Sequence, residues 1–372
     1  MSIPRVEYEQ RIERVRAAMR PAGADALLLT SPENIYYLSG YQSLGYFSLQ
    51  ALVVPQRGAA TLIIRELELA NAAASSIHDQ IVGYRDQDDP VALMAAQARS
   101  HKVVAVERQS RSLSAAVLER LTNALAAATV ADASGIVERL RLRKSAAELE
   151  CIRRAGRIAR QGMAAALDRV GPGRAERDAA SAAYAALLSA GSEWTGAPPF
   201  VASGPRSSHG HATWTDRAFE AGDPVFLEVN AAIARYHAAQ MRSACIAPVP
   251  ATHGAMVSAC RAGVEAAIAK ARPGVPAREV DRACRKVIED AGFARYFRLR
   301  SGYSVGIGFE NFGEGSIFSL HQGNASPLEE GMALHVLVYL SDPGVAGCAF
   351  SETVIVQPDG AEIVTCGGSD GH

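Results

Sequence analysis

The stretch that most constrains this chain is Gly222 to Arg242, GDPVFLEVNAAIARYHAAQMR. It opens with a Gly-Asp-Pro turn. Pro224 fixes its own φ and lacks an N–H, so it suits a turn or the first residue of a strand. Val225, Phe226 and Leu227 form a short apolar run, which reads as a buried strand ending on the carboxylate of Glu228. A second strand follows, carrying Tyr236, His237 and Arg242. A carboxylate, an imidazole and a guanidinium in otherwise apolar paired strands must be compensated. A buried charge without a partner costs several kcal/mol. Taken singly, each of these residues fits a structural ion-pair network. A site is the stronger reading only if other parts of the chain supply matching pieces.

A chain of 372 residues has room for two domains or one large one. A net charge of -1 leaves no electrostatic footprint for nucleic acid or an anionic membrane surface. No apolar run approaches the ~20 residues of a spanning helix. The first residues, MSIPRVEYEQRIERVRAAM, are charged and amphipathic and do not read as a signal peptide. The six cysteines form no CxxC pair, so they read as reduced thiols of a cytoplasmic protein rather than a disulfide framework or zinc site.

The first 130 or so residues alternate strand and helix patterns, which indicates an α/β domain. Helices are expected at 6–20, 65–74, 91–99 and 113–125, with strands at 26–29, 49–55, 60–64, 81–82 and 103–106. No glycine-rich phosphate loop occurs there, so nucleotide binding is not assigned. Ser145 with Glu148 three residues on is a capping-box pattern opening a long helix. The domain boundary is placed near residue 135, giving domains 1–135 and 136–372. The second domain reads as a helical hairpin and strands at 223–230 and 234–248. A second hairpin and further strands follow, suggesting a duplicated unit around one curved sheet.

Several motifs then accumulate in order: LRLRKSAAELECIRRAG, VASGPRSSHGHATW, GDPVFLEVNA, RYHAAQMRS, SGYSVGIGF, EEGMALHVLV and FSETVIV. In these the chain resembles the pita-bread family of creatinase, aminopeptidase P, prolidase and methionine aminopeptidase. The resemblance covers nearly the whole chain. It implies an α/β N-terminal creatinase-type domain and an α+β pita-bread C-terminal domain with a curved antiparallel sheet. The family's peptidases hold two metal ions with two Asp, one His and two Glu. Those positions fall here at Glu228, Ala239, Tyr303, Leu337 and Glu352. Alanine and leucine have no donor atoms, so a family-type two-metal centre is not expected, and no cofactor is assigned. A single metal on His237, His335 and a glutamate is the minor alternative.

Within the family, RYHAA.MR, GYS.GIGF, GM.LH and FSET are most similar to the metal-independent branch of creatinase and the ectoine hydrolases. The chain departs from that branch at Glu310-Asn311-Phe312-Gly313-Glu314 and at Met241. The expectation is a metal-independent hydrolase of a C–N bond in a small amidine or compatible-solute-like molecule. The runner-up is a dipeptidase with a remodelled single-metal site, and a third reading is a non-catalytic binding module. His211 aligns with the catalytic histidine of creatinase and is expected to move the proton of the attacking water. Glu228 and Glu352 are expected to face one pocket as the other catalytic groups. His237, Tyr303, His335 and Arg242 are expected substrate contacts, Arg242 through a carboxylate. Tyr41 and Phe47 are candidates for stacking on a flat cation. The resemblance also implies a homodimer in which the N-terminal domain of one subunit lies near the active site of the other.

Overall fold

A computed structural model describes residues 3–366. They divide into two compact units between Arg141 and Leu142. The first unit contains α1 (Arg5–Met19), β1 (Ala26–Leu29), α2 (Pro32–Ser39), β2 (Ala51–Pro55), β3 (Thr61–Arg65) and α3 (Leu69–Ser75). It continues with β4 (Gln80–Tyr84), α4 (Pro90–Ala98), β5 (Val103–Val106), α5 (Ala115–Ala124) and β6 (Thr129–Asp132), and α6 (Ile136–Leu142) runs across the division. Its six strands form one sheet in the order β4-β3-β2-β1-β5-β6. β1 is ALLL and buried throughout, as a central strand covered on both faces must be. The unit also contains elements that the sequence reading did not assign. SPENIYYLSG forms the helix α2, with Pro32 at its start and Gly40 in the left-handed conformation at its end. Strand β6 was not expected, because its alternation is masked by a half-exposed edge position.

The second unit runs α7 (Ala146–Leu167), α8 (Glu176–Ser189), β7 (Phe200–Ser203), β8 (Pro224–Ile233), β9 (Tyr236–Cys245), α9 (Ala251–Lys270) and α10 (Ala277–Asp290). It ends with β10 (Gly302–Ser304), β11 (Ser319–Leu320), β12 (Ala333–Asp342), β13 (Ala346–Gln357) and β14 (Gly360–Ile363). The capping box at the start of α7 is formed, with Glu148 Oε2 accepting from Ser145 N at 2.7 Å. Glu148 also accepts from Tyr236 Oη at 2.6 Å, tying α7 to β9. The strands make two antiparallel sheets, β7-β8-β9 and β11-β10-β12-β13-β14.

Period-two alternation gives each sheet a helix face and a cleft face. Val225, Leu227 and Val229 of β8 pack on α7 and α8. Val336, Val338 and Leu340 of β12, with Phe350 and Val354 of β13, pack on α9 and α10. The opposite faces meet through Phe226, Met241, Leu337, Tyr339 and Ala349.

The two sheets join along β9 and β13 through hydroxyl groups rather than a backbone ladder. Thr353 Oγ1 accepts from Ala239 N at 3.0 Å and donates to Ala239 O at 2.8 Å. Ser351 Oγ accepts from Met241 N at 2.7 Å. Ser243 Oγ accepts from Ala349 N at 2.7 Å and donates to Ala349 O at 3.1 Å. Among the described residues, no helix is long and apolar enough to cross a membrane.

Thr353→Val keeps the shape but leaves the buried Ala239 N–H and C=O without their bridge. The expected loss in chemical denaturation is about 2 kcal/mol, with Thr353→Ser close to the parent. Equal stability of the valine variant would show that the seam does not depend on this hydroxyl.

Candidate functional site in the cleft of the C-terminal unit

A cavity of about 340 Å³ opens on the cleft face of the second unit. Its wall includes His211, Phe226, Glu228, Met241, Arg298 and Tyr339. Glu228 comes from the middle of β8, in register with Phe200 on one side and Met241 on the other. It is 3 % exposed, and its Oε1 has no hydrogen-bond partner. Burial alone pushes its carboxyl up to about 8. Two residues along the same face, Asn230 donates to Ala197 O at 3.1 Å while its Oδ1 is also unpartnered.

His211 lies in the loop between β7 and β8, exposed at the cavity, at φ 61. Its ring stands edge-on to Phe200 with centroids 5.6 Å apart. The loop is pinned from below by the buried Glu176 at the start of α8. Glu176 Oε1 accepts from Ser203 N at 2.7 Å and from Ser203 Oγ, and Oε2 accepts from Thr215 N at 2.9 Å and from Arg206. Tyr339 Oη donates to Ser207 O at 2.7 Å, which fixes the loop to β12. Sequence reasoning missed Glu176. Its only signal was a carboxylate on the first turn of a helix, which is common.

Tyr303 and His335 are register partners on β10 and β12. His335 Nδ1 lies 3.1 Å from Tyr303 Oη, and Nε2 lies 2.6 Å from Ser351 Oγ. Burial, with a smaller effect of Arg300, lowers the imidazole pKa to about 3, so His335 is neutral. Burial, with the nearby charge of Glu228, raises the Tyr303 phenol.

Other expected site residues lie elsewhere. The ladder pairs Leu337 with Ser351 and Val336 with Glu352. Ser351 therefore stands beside Leu337 on the cleft side, and Glu352 points to the helix side. The expectation that Glu228 and Glu352 share one pocket is corrected by this alternation. Arg242, opposite Leu227 in the ladder, also faces the helices. It does not await a substrate carboxylate: it donates to Met241 O and Ser351 O, both at 2.8 Å, and to Glu352. Thr365 and Gln240 occupy the other oxygen of Glu352. His237 is a core histidine. Its Nδ1 bonds Arg235 O at 2.8 Å, its Nε2 accepts from Gly196 N at 3.3 Å, and burial lowers its pKa to about 3. Tyr41 is buried within the first unit, so its face is not open to a ligand, whereas Phe47 is 80 % exposed.

Of the positions that the resemblance assigns to the family's ligands, Glu228, Ala239, Tyr303 and Leu337 face the cleft, and beside Leu337 the cleft holds Ser351 in place of Glu352. They supply one carboxylate and no imidazole, which does not fit a two-metal centre. Among the described residues, no group of three or more His, Cys, Asp and Glu side chains could hold a metal ion. The single-metal alternative on His237 and His335 fails as well, because the ring nitrogens of both are engaged within the protein.

Comparison with known proteins matches residues 150–358 to metallopeptidase family M24 and residues 11–143 to the creatinase/prolidase N-terminal domain. A probable dipeptidase PepE of Mycobacterium tuberculosis is 30% identical over 366 residues, covering 95% of this chain and 93% of that protein. The crystal structure of dipeptidase PepE from Mycobacterium ulcerans superposes with a TM-score of 0.85 at 29% identity, covering 99% of this chain and 98% of that one. The prolidase from Pyrococcus horikoshii OT3 shares the fold, with a TM-score of 0.87 at 22% identity over 97% and 99% of the two chains. These likenesses to dipeptidases overturn the expectation of a metal-independent amidine or ectoine-type hydrolase.

Between the ordinary carboxyl range and about pH 8, folded Glu228 holds a proton that the unfolded chain has released. Its contribution to stability therefore falls as pH rises through that window. Glu228→Gln removes this dependence. The variant should melt about 3 °C or more above the parent at pH 8.5 and together with it at pH 5. Parallel pH profiles for the two proteins would show that Glu228 does not titrate in this way.

Proposed function

Because this chain belongs to metallopeptidase family M24, with a creatinase/prolidase-type N-terminal domain, we propose that it hydrolyses the peptide C–N bond of a short, dipeptide-sized substrate. The observation that carries this reading is the cavity of about 340 Å³ with buried Glu228 in its wall and His211 at its edge. That volume lies at the small end of ligand sites, which suits two amino-acid residues and little more. His211 takes a proton from the water that adds to the carbonyl carbon. It returns the proton to the nitrogen as the C–N bond breaks. Glu228 faces the reacting amide. Phe226, Met241 and Tyr339 give the substrate side chain an apolar wall.

The likeness to dipeptidases supports this reading, and no step in it is routed through a metal ion, because the cleft residues do not fit one. That misfit favours a second reading, in which the cleft binds peptides without cleaving them. The small-molecule partner is then the same, and only turnover differs. The homodimer implied by the resemblance and a cytoplasmic location belong to this proposal. Support comes from exposed Leu44 and Phe47 on the first unit and from the buried thiols of Cys151, Cys260, Cys284 and Cys348. A monomer in light scattering at micromolar concentration would remove the dimer.

The test is release of free amino acids from a dipeptide panel that includes Xaa-Pro members, after chelation and with added Mn²⁺ or Zn²⁺. Turnover is expected to fall about 100-fold or more in His211→Ala, with the melting temperature unchanged. Turnover that requires added metal would overturn the assigned roles. A panel that raises the melting temperature without releasing product would establish the binding reading instead.

A further inference from the structure

The proton positions around His335 follow from counting donors and acceptors. A neutral imidazole carries one N–H. Ser351 Oγ already accepts the Met241 N–H, and the serine is fully buried. Among the described residues, His335 Nε2 is the one acceptor within reach of its hydroxyl proton. If Nε2 carried the proton, two N–H groups would point at the serine oxygen. The serine O–H would then be buried without an acceptor, at a cost of about 1–3 kcal/mol. The arrangement that satisfies every group has Ser351 donating to Nε2 and Nδ1–H donating to Tyr303 Oη. The proton of Tyr303 itself is then unused, since its oxygen has no other partner among the described residues.

Tyr303 packs against the apolar cluster that contains Phe226, Met241, Leu337 and Tyr339, three of which line the cavity. It lies within electrostatic reach of Glu228, yet no hydrogen bond joins the two. Glu228 in turn has no hydrogen bond or ion pair among the described residues. A carboxyl buried without a cation keeps its proton. Two unused O–H groups therefore lie within electrostatic reach of each other, one in the cavity wall at Glu228 and one on the apolar cluster beside it at Tyr303. An acceptor with two lone pairs fits between them: a carbonyl oxygen, and better still the oxyanion that forms as water adds. The Arg300 guanidinium stacks 4.5 Å above the Tyr303 ring and makes the phenol a stronger donor.

We propose that Tyr303 and Glu228 form a two-donor pocket for the carbonyl oxygen of the scissile amide, with Ser351 and His335 as positioning residues that turn the Tyr303 proton into the cleft. This rests on the peptide-bond reading above for the identity of the oxygen, but not for the arrangement of the protons.

The test reads the protons first. NMR of full-length protein labelled with ¹⁵N-histidine should show His335 protonated on Nδ1 and unprotonated on Nε2 near neutral pH. The signal is assigned by its loss in His335→Gln. In Ser351→Ala the constraint is gone, and the tautomers should mix. A protonated Nε2 in the parent would overturn the proposal. The second reading uses 4-nitrophenolate as an oxyanion probe, followed by its absorption band. The parent should bind it, and Tyr303→Phe, shown to be folded by circular dichroism, should bind about 10-fold more weakly or worse. No binding by the parent, or equal binding by the variant, would also overturn it. Neither readout requires turnover. A protein that passes both yet cleaves no dipeptide keeps the pocket and loses only the hydrolase reading.

Discussion

The cleft depends on one seam, the line where β9 meets β13. Backbone ladders hold each sheet together, but side-chain hydroxyls join the two sheets. Ser243, Ser351 and Thr353 each bridge to a main-chain group across the gap. A hydroxyl can donate and accept at once, so one Thr353 satisfies both the N–H and the C=O of Ala239. The seam holds the strands at a side chain's length rather than at ladder spacing, and the two cleft faces meet above it. Ser351 belongs to both the seam and the site, since the oxygen that accepts from Met241 also bonds His335. The fold and the chemistry of the cleft thus share an atom.

Buried charge elsewhere in this unit is compensated. Arg242 pairs with Glu352 and stacks at 4.1 Å on Phe350. Lys144 pairs with Glu314 at 2.9 Å. Glu176 is filled by two backbone N–H groups, two hydroxyls and Arg206. Such networks are structural: they cost desolvation and return it as hydrogen bonds. Glu228 stands apart, with an unpartnered oxygen and a carboxyl pushed up to about 8. It also lines the cavity. An uncompensated group in a concave apolar surface marks a site more reliably than any motif around it.

The chain belongs to a peptidase family, yet among its described residues no group of three or more His, Cys, Asp and Glu side chains could hold a metal ion. The fold does not depend on such a group, because the site residues lie on the cleft face. The two helix-packed cores, which carry the stability, are on the opposite faces. Leu337 joins the apolar cleft cluster, and Ala239 is fully buried. Family likeness therefore constrains the architecture firmly. The chemistry has to be argued from Glu228, Tyr303, His335 and His211.

Much of the fold was legible in the chain itself. The capping box at Ser145, the apolar run of β1 and the helix periods of α7 to α10 are local signals, and local signals survive in sequence. The motifs from Gly222 to Arg242 and around Tyr303 and His335 likewise marked the region of the site. The direction of each side chain was not legible. Glu352 and Arg242 were expected in the cleft and lie behind it, because a one-residue difference in register exchanges the faces of a strand. His237 was expected beside a substrate and is spent on backbone groups. Register, the seam and the proton order along Ser351, His335 and Tyr303 are set by groups more than a hundred residues apart or by strand pairs. The sequence determined which side chains the chain owns and which elements carry them. Only the tertiary structure decided which of those side chains are satisfied by the protein and which are left for a ligand.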